Sequence, residues 1–243
     1  MMASALEHYE RHLAPVYSWM AGGVESAIRR GRNELAEMGL LNRGARYAVD
    51  LGAGFGTHAI ALARTGCRVL AVDSSAILLE ELKAHAHHLP VTAVQDDLLN
   101  FPRHLAGRPD IVLCMGDTLT HLPDLSSVTT LIATVAEQLS SGDPFVVTFR
   151  DYSEALEGTD RFILARSDES KLLTCCLEYD EETVQVHDIL HEFNQGAWGM
   201  RVSGYRKLRL APAWVKDQLE KHGFVVVPGV HASGMTRICA KRA

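Results

Sequence analysis

The sequence predicts a doubly wound α/β fold of Rossmann-like kind, and three observations carry that prediction. Short, continuously apolar runs alternate with helix-forming segments between residues 46 and 149. A glycine cluster falls where the first run gives way to a helix. An acidic residue stands at or just past the end of each of the first three runs. Continuous apolar runs of this length are strands buried on both faces, which is the condition of a parallel sheet with helices above and below.

Residues 1–44 read as a helical lid of at least two helices. Leu6, Tyr9, Leu13, Val16 and Tyr17, then Val24, Ile28, Leu35, Met38 and Leu41, recur at helical spacing, and Pro15 and Gly22-Gly23 punctuate them. Arg46–Leu51 is the first strand and Thr57–Thr65 its helix. Arg68–Val72 is the second, with Ser75–His87 as helix, and Val91–Gln95 is the third. Asp110–Met115 is the fourth strand, Val128–Leu139 the next helix and Phe145–Phe149 the fifth strand. Right-handed crossovers then wind the sheet on both faces. From 154 to 210 the texture changes to hairpins: Arg161–Arg166, Leu172–Tyr179, Thr183–Phe193 and Met200–Leu210 alternate with turn-like segments. This predicts a small antiparallel sheet inserted over the main one. Pro212 leads a helix over Trp214–His222, and Phe224–Val227 and Thr236–Lys241, joined through PGVHASG, form an antiparallel hairpin at the sheet edge. The core is thus 45–153 with 211–243, and 154–210 is an insertion over the active site.

A chain of 243 residues can bury a full core. Lys and Arg number 24 against 30 Asp and Glu, a net charge of −6, which disfavours a nucleic-acid partner held by phosphate neutralisation. No run approaches a membrane span, and the start, MMASALEHYERHLAP, lacks the basic-then-apolar layout of a secretory leader. The 5 cysteines have no C-x-x-C spacing, which points to reduced thiols and the cytoplasm and away from a disulfide framework or thiolate zinc site. His187 and His191 lie on one face of a predicted strand but about 13 Å apart, too far to share an ion, so no metal is expected. Oligomeric state is not legible.

The sharpest motif is Asp50-Leu51-Gly52-Ala53-Gly54-Phe55-Gly56. Glycines at this spacing make a tight strand-to-helix turn with close backbone approach to a ligand. The spacing is G-x-G-x-G where a dinucleotide fingerprint has G-x-G-x-x-G. Asp50 would repel a pyrophosphate and suits a ligand bearing an ammonium group. Asp73 falls where a carboxylate accepts both ribose hydroxyls, and Asp97, succeeded by Leu98, where an adenine amino group and ring would bind. Together they describe a nucleoside with an amino-acid tail.

VDLGAGFGTHAIALA, RVLAVDSS, QDDLLNF and DIVLCMGDTLTHLPD resemble the successive motifs of class I S-adenosylmethionine-dependent methyltransferases. The resemblance implies S-adenosylmethionine as cofactor, with Asp50 near its methionine moiety, Asp73 at the ribose, Asp97 (or its neighbour Asp96) with Leu98 at the adenine, and Ser74 as a further cofactor contact. Gly52, Gly54 and Gly56 line the turn, and Met115 ends the fourth strand.

The N/D-P-P-Y/F motif of nucleic-acid and amide methylation does not occur after that strand. CMGDTLTHLPD resembles instead the corresponding stretch of glycine N-methyltransferases. FRDY resembles the stretch in which that family's arginine binds the acceptor carboxylate, which implies Arg150 and Tyr152 at the acceptor. A guanidinium offers a carboxylate a bidentate fork. Asp117 replaces the family's asparagine and would place a charge near the acceptor; His121 is a candidate base, and Tyr17 a lid contact. The expected reaction is in-line methyl transfer to nitrogen of a small amine or amino acid. The alternatives are O- or S-methylation of a small acid or thiol, a non-catalytic S-adenosylmethionine-binding module, and a nicotinamide-dependent dehydrogenase.

Overall fold

The computed structural model describes residues 4–227 and 234–243. The apolar runs become β1 (Tyr47–Leu51), β2 (Arg68–Asp73), β3 (Val91–Gln95), β4 (Ile111–Cys114) and β5 (Pro144–Phe149), all parallel. A second, antiparallel sheet comes next as β6 (Phe162–Ser167), β7 (Lys171–Tyr179), β8 (Thr183–Asn194) and β9 (Ala197–Leu208). The chain returns to the first sheet as β10 (Phe224–Val227) and β11 (Thr236–Arg242), which give it the order β10-β11-β5-β4-β1-β2-β3. Within β1, β4 and β5 every residue is buried, as central strands covered on both faces require.

Helices α1 (Ala5–His8) and α2 (Tyr17–Met20) are short, and α3 (Val24–Glu37) is the first long one. Then come α4 (Thr57–Ala63), α5 (Ala76–His85), α6 (Leu125–Gln138) and α7 (Pro212–Lys221). Ile28, Leu35, Ile60 and Leu82 of α3, α4 and α5 pack on one face of the large sheet, against Ala48, Val69 and Leu113. Leu131, Val135, Val215 and Leu219 of α6 and α7 pack on the other, against Val49, Leu51 and Val147. Each fully buried side chain of this size contributes roughly 1.5–3 kcal/mol. The strand order reverses between β1 and β4, so the carboxyl ends of these strands open a crevice at the switch point.

Two boundaries differ from the sequence reading for local reasons. Asp124 accepts from the backbone N–H of Ser127 at 2.7 Å and starts α6 at Leu125, ahead of the apolar stripe that begins at Val128. Gln195 and Gly196 both take positive φ, 52° and 83°, a two-residue hairpin turn that lets β9 begin at Ala197. The β10–β11 pairing is antiparallel as expected, while residues 228–233 of its PGVHASG link lie outside the described residues. Among the described residues no helix is long and apolar enough to cross a membrane.

The N-terminal segment lies across the second sheet. His8 Nε2 meets Asp188 Oδ2 at 2.9 Å and His8 Nδ1 meets the Ser203 hydroxyl at 2.8 Å, while Leu13 and Val16 pack on Leu173 and Leu190.

Candidate active site

A cavity of about 670 Å³ opens at the switch point, within the range of small-molecule and cofactor sites. Its floor is the glycine turn. The amides of Gly52 and Ala53 both donate to the Val72 carbonyl, at 2.8 and 3.1 Å, so the turn is pinned to β2. Gly52 has φ +73°, and a Cβ there would sit 2.3 Å from the Thr118 side chain. The turn therefore accepts no larger residue without displacing the loop after β4. Gly56, at φ +93°, caps α4 from below and does not line the cavity.

Asp73 reaches the cavity from the end of β2. The Gly54 N–H donates to its Oδ2 at 2.7 Å and the Ser75 N–H to its Oδ1 at 2.8 Å. The carboxylate is thus oriented with lone pairs to spare for a ligand's hydroxyls. Burial raises its pKa, and the backbone donors offset this only in part. Ser74, Leu98 and Met115 also line the cavity. So does Asp97, whereas Asp96 is held outside it by Asn100 and His104 at 2.9 and 2.7 Å.

Asp50 behaves differently. It is 2% exposed, lies behind the turn instead of in the cavity wall, and its Oδ2 has no partner among the described residues. Burial drives its pKa up to about 6, against the opposing influence of His58 and the Ala59 amide. A carboxylate without compensation is costly in a core, and such groups collect at functional sites.

Several expected acceptor residues are elsewhere. Arg150 is exposed and outside the wall; its backbone N–H is engaged, donating to Asp117 Oδ1 at 2.8 Å. Tyr152 is buried with Leu177, Val186 and Tyr205 behind the wall, because β5 ends before it and the chain turns toward the second sheet. Asp117 offers no free charge to a ligand. Lys207 Nζ donates to its Oδ2 at 2.6 Å, and the Thr120 hydroxyl to its Oδ1 at 3.0 Å. Burial works against ionisation here, but the Lys207 ammonium overrides it and holds Asp117 below the ordinary carboxylate value. The second sheet also does less than expected: none of the lining residues falls within 154–210, and the sheet supports the wall from behind.

His121 and Tyr17 do line the cavity, joined by Tyr9. The Tyr9 hydroxyl and His121 Nε2 are 3.3 Å apart, and His121 Nδ1 has no partner among the described residues. The His121 ring stacks on Tyr205, 5.4 Å between centroids and 1° from parallel. Burial first, and then the Lys207 charge, push its pKa down to about 3, so the imidazole is neutral at any working pH. The far end of the cavity holds residues to which the motifs assigned no role. His58 meets Glu34 at 2.9 Å, and Arg30 and Arg237 stand beside them. His58 comes directly after the glycine turn, which was a usable signal; Arg237 and Lys207 carry no motif. For Lys207 the signal was alternation, since β9 places it on the same inward face as Tyr205 and Ser203.

Residues 48–142 match the family described as a methyltransferase domain. The ubiquinone biosynthesis O-methyltransferase of Proteus mirabilis (strain HI4320) is 34% identical over 85 residues, 34% of either chain. The glycine/sarcosine N-methyltransferase of Halorhodospira halochloris is 29% identical over 122 residues, 49% of this chain and 45% of that one. The chain thus spans between a third and a half of the curated relatives it matches. Among solved structures, Streptomyces venezuelae DesVI superposes with a TM-score of 0.78 at 17% identity, covering 95% of this chain and 98% of that one. An S-adenosylmethionine-dependent methyltransferase from Clostridium acetobutylicum ATCC 824 superposes with a TM-score of 0.73 at 14% identity, covering 94% and 97%. At those identities the likeness is one of fold. Residues 48–142 match a methyltransferase domain, and the whole described chain has the fold of the S-adenosylmethionine-dependent methyltransferase on which it superposes.

The residues present fit that cofactor. Asp73 keeps unused acceptor capacity toward the cavity, Asp97 and Leu98 line it from beyond the end of β3, and the uncompensated Asp50 charge sits two residues before Gly52.

Proposed function

We propose that this chain transfers the methyl group of S-adenosylmethionine to a nitrogen of a small molecule, an amine or amino acid. The observation that carries this reading is the cavity itself. Its lining brings Asp73, Asp97 and Leu98, groups that suit a nucleoside, together with an uncharged stretch of Tyr9, Tyr17, His121 and Leu122, apart from the charged end at Arg30, Glu34 and Arg237.

When bound, the cofactor supplies a methyl group already activated on a sulfonium. Asp73 and Asp97 orient the nucleoside, and the Asp50 charge favours the ammonium of the amino-acid tail. Tyr9, Tyr17 and the other aromatic groups exclude water. Alignment and dehydration are the main requirements of an in-line displacement.

His121 is too weak a base to take a proton from an ammonium. The amine therefore enters neutral, and the apolar wall favours that form. His121 Nε2 instead fixes the Tyr9 hydroxyl, whose remaining lone pair accepts an N–H of the acceptor. Nitrogen suits this site better than oxygen, since a neutral amine needs no base and an alcohol does. The relatives that bear N-methyltransferase names support the same choice, and the O-methyltransferase relative keeps oxygen as the outcome to be tested.

The test is formation of S-adenosylhomocysteine, measured by mass spectrometry, across small amines, amino acids, thiols, phenols and carboxylic acids. Turnover on amines or amino acids is expected. Turnover confined to thiols, phenols or acids overturns the nitrogen assignment, and cofactor binding without turnover on any class overturns the catalytic one.

A further inference from the structure

Asp188 is a charged group buried away from the cavity. It stands on the inner face of β8, 2% exposed, and forms no part of the cavity lining. Both of its oxygens are engaged: His8 Nε2 meets Oδ2 at 2.9 Å, and the Cys175 thiol donates to Oδ1 at 2.9 Å. The other nitrogen of the His8 ring meets the hydroxyl of Ser203 at 2.8 Å, and Ser203 is the β9 residue paired with Asp188. His8 is thus held at both nitrogens by two neighbouring strands. A buried pair of this kind adds little to stability, since apolar groups of similar shape often serve as well.

What the pair holds in place is visible in the rings around it. Tyr205, on the same inward face of β9 as Ser203, stacks with two imidazoles. His8 lies 4.1 Å from it between centroids and 25° from parallel, and His121 lies 5.4 Å away at 1°. Tyr9 follows His8 directly and stands edge-on to His121 and to Tyr205, at 5.3 and 6.1 Å. Successive residues of a helix point roughly 100° apart, so anchoring His8 in the sheet aims Tyr9 at the cavity. His121 is held from the other side. Asp117 starts its turn, and Lys207 of β9 donates to Asp117 at 2.6 Å.

We infer that Asp188 is a positioning residue for the Tyr9–His121 pair, acting through His8 from outside the cavity. Its part in catalysis rests on the reading of Tyr9 as the acceptor's hydrogen-bond partner. At 3.3 Å the contact between the Tyr9 hydroxyl and His121 Nε2 is near the outer limit of a hydrogen bond, so a small shift of the N-terminal segment breaks it. While the hydroxyl donates to Nε2, the neutral His121 ring carries its own proton on Nδ1. The tautomer of His121 therefore reports whether Tyr9 is in place.

Long-range proton–nitrogen correlation spectra of the ligand-free full chain, labelled at histidine nitrogens, test the inference without any acceptor. His121 is expected as the Nδ1–H form in wild type and in Asp188→Asn, which keeps an acceptor for His8. In Asp188→Ala a mixture with the Nε2–H form is expected. The His8→Phe/Asp188→Leu variant keeps a ring on Tyr205 and strands no charge; it serves if Asp188→Ala does not fold, and the same mixture is expected. His121 found as Nε2–H in wild type, or as Nδ1–H alone in the disrupted variants, overturns the inference. Turnover separates it from the acceptor reading. With an amine that wild type methylates, Asp188→Ala should lower kcat/KM about tenfold at nearly unchanged cofactor Kd, and should add no further loss in a Tyr9→Phe background. Additive losses overturn the inference and leave the acceptor reading standing. A tautomer that follows Asp188 while kcat/KM ignores Tyr9→Phe supports the positioning and overturns the acceptor reading.

Discussion

Replacing Asp50 by Asn removes a buried carboxylate whose charge the surrounding residues fail to compensate. With a folded-state pKa of about 6 against 3.8 for the free side chain, the native protein holds this proton more tightly than the unfolded chain. Stability then falls as pH rises from about 4 to about 6, and the loss amounts to about 3 kcal/mol. Asp50→Asn keeps the shape and lacks the titration. In urea unfolding of the ligand-free protein, the variant should therefore gain about 3 kcal/mol relative to wild type between about pH 4 and pH 7.5. Cofactor affinity should move the other way. For wild type it should weaken about tenfold per pH unit below about 6, as the buried charge behind the glycine turn that favours the ligand's ammonium is lost. For the variant it should be weaker by roughly 10–100-fold at about pH 7.5 and flat with pH. Parallel stability curves for the two proteins across that pH range would refute the reasoning about an uncompensated charge.

Tyr9→Phe removes one hydrogen bond at the acceptor and should raise acceptor KM or lower kcat about tenfold, with cofactor Kd within threefold; an unchanged kcat/KM removes Tyr9 from the site. Arg150→Ala should leave acceptor KM unchanged, because the guanidinium is outside the cavity; a large rise would restore the carboxylate-binding role read from its motif. Lys207→Met strands the buried Asp117 carboxylate and should cost about 3–5 kcal/mol in chemical denaturation, whereas Lys207→Met with Asp117→Asn should recover most of it. In pH–rate profiles kcat should show no inflection from His121 between about pH 5 and 8, and kcat/KM should rise up to the acceptor amine's own pKa.

The sheet was legible because its strands are short, continuously apolar and bounded by glycine or charge, and β1 to β5 fall within one or two residues of their predicted limits. The cofactor half was legible because it depends on backbone: a glycine turn and acids at strand ends are set by the chain's local geometry. The acceptor half was not, because it depends on side chains brought together from distant elements. Asp117 reads as a free charge until Lys207, 90 residues later, is seen to reach it. Arg150 sits in the expected motif, yet β5 ends at Phe149 and the side chain turns to solvent. Tyr9 lay on a recognised apolar stripe, but its hydroxyl meets His121 only once the N-terminal segment folds across the second sheet.

The central claim, that this cavity binds S-adenosylmethionine, is tested most directly by titrating the purified chain with S-adenosylmethionine, S-adenosylhomocysteine and NAD in a calorimeter near neutral pH. One saturable site per chain is predicted for the first two ligands, in mutual competition, with no binding of NAD. Heat from NAD alone, or none from S-adenosylmethionine, would contradict the account.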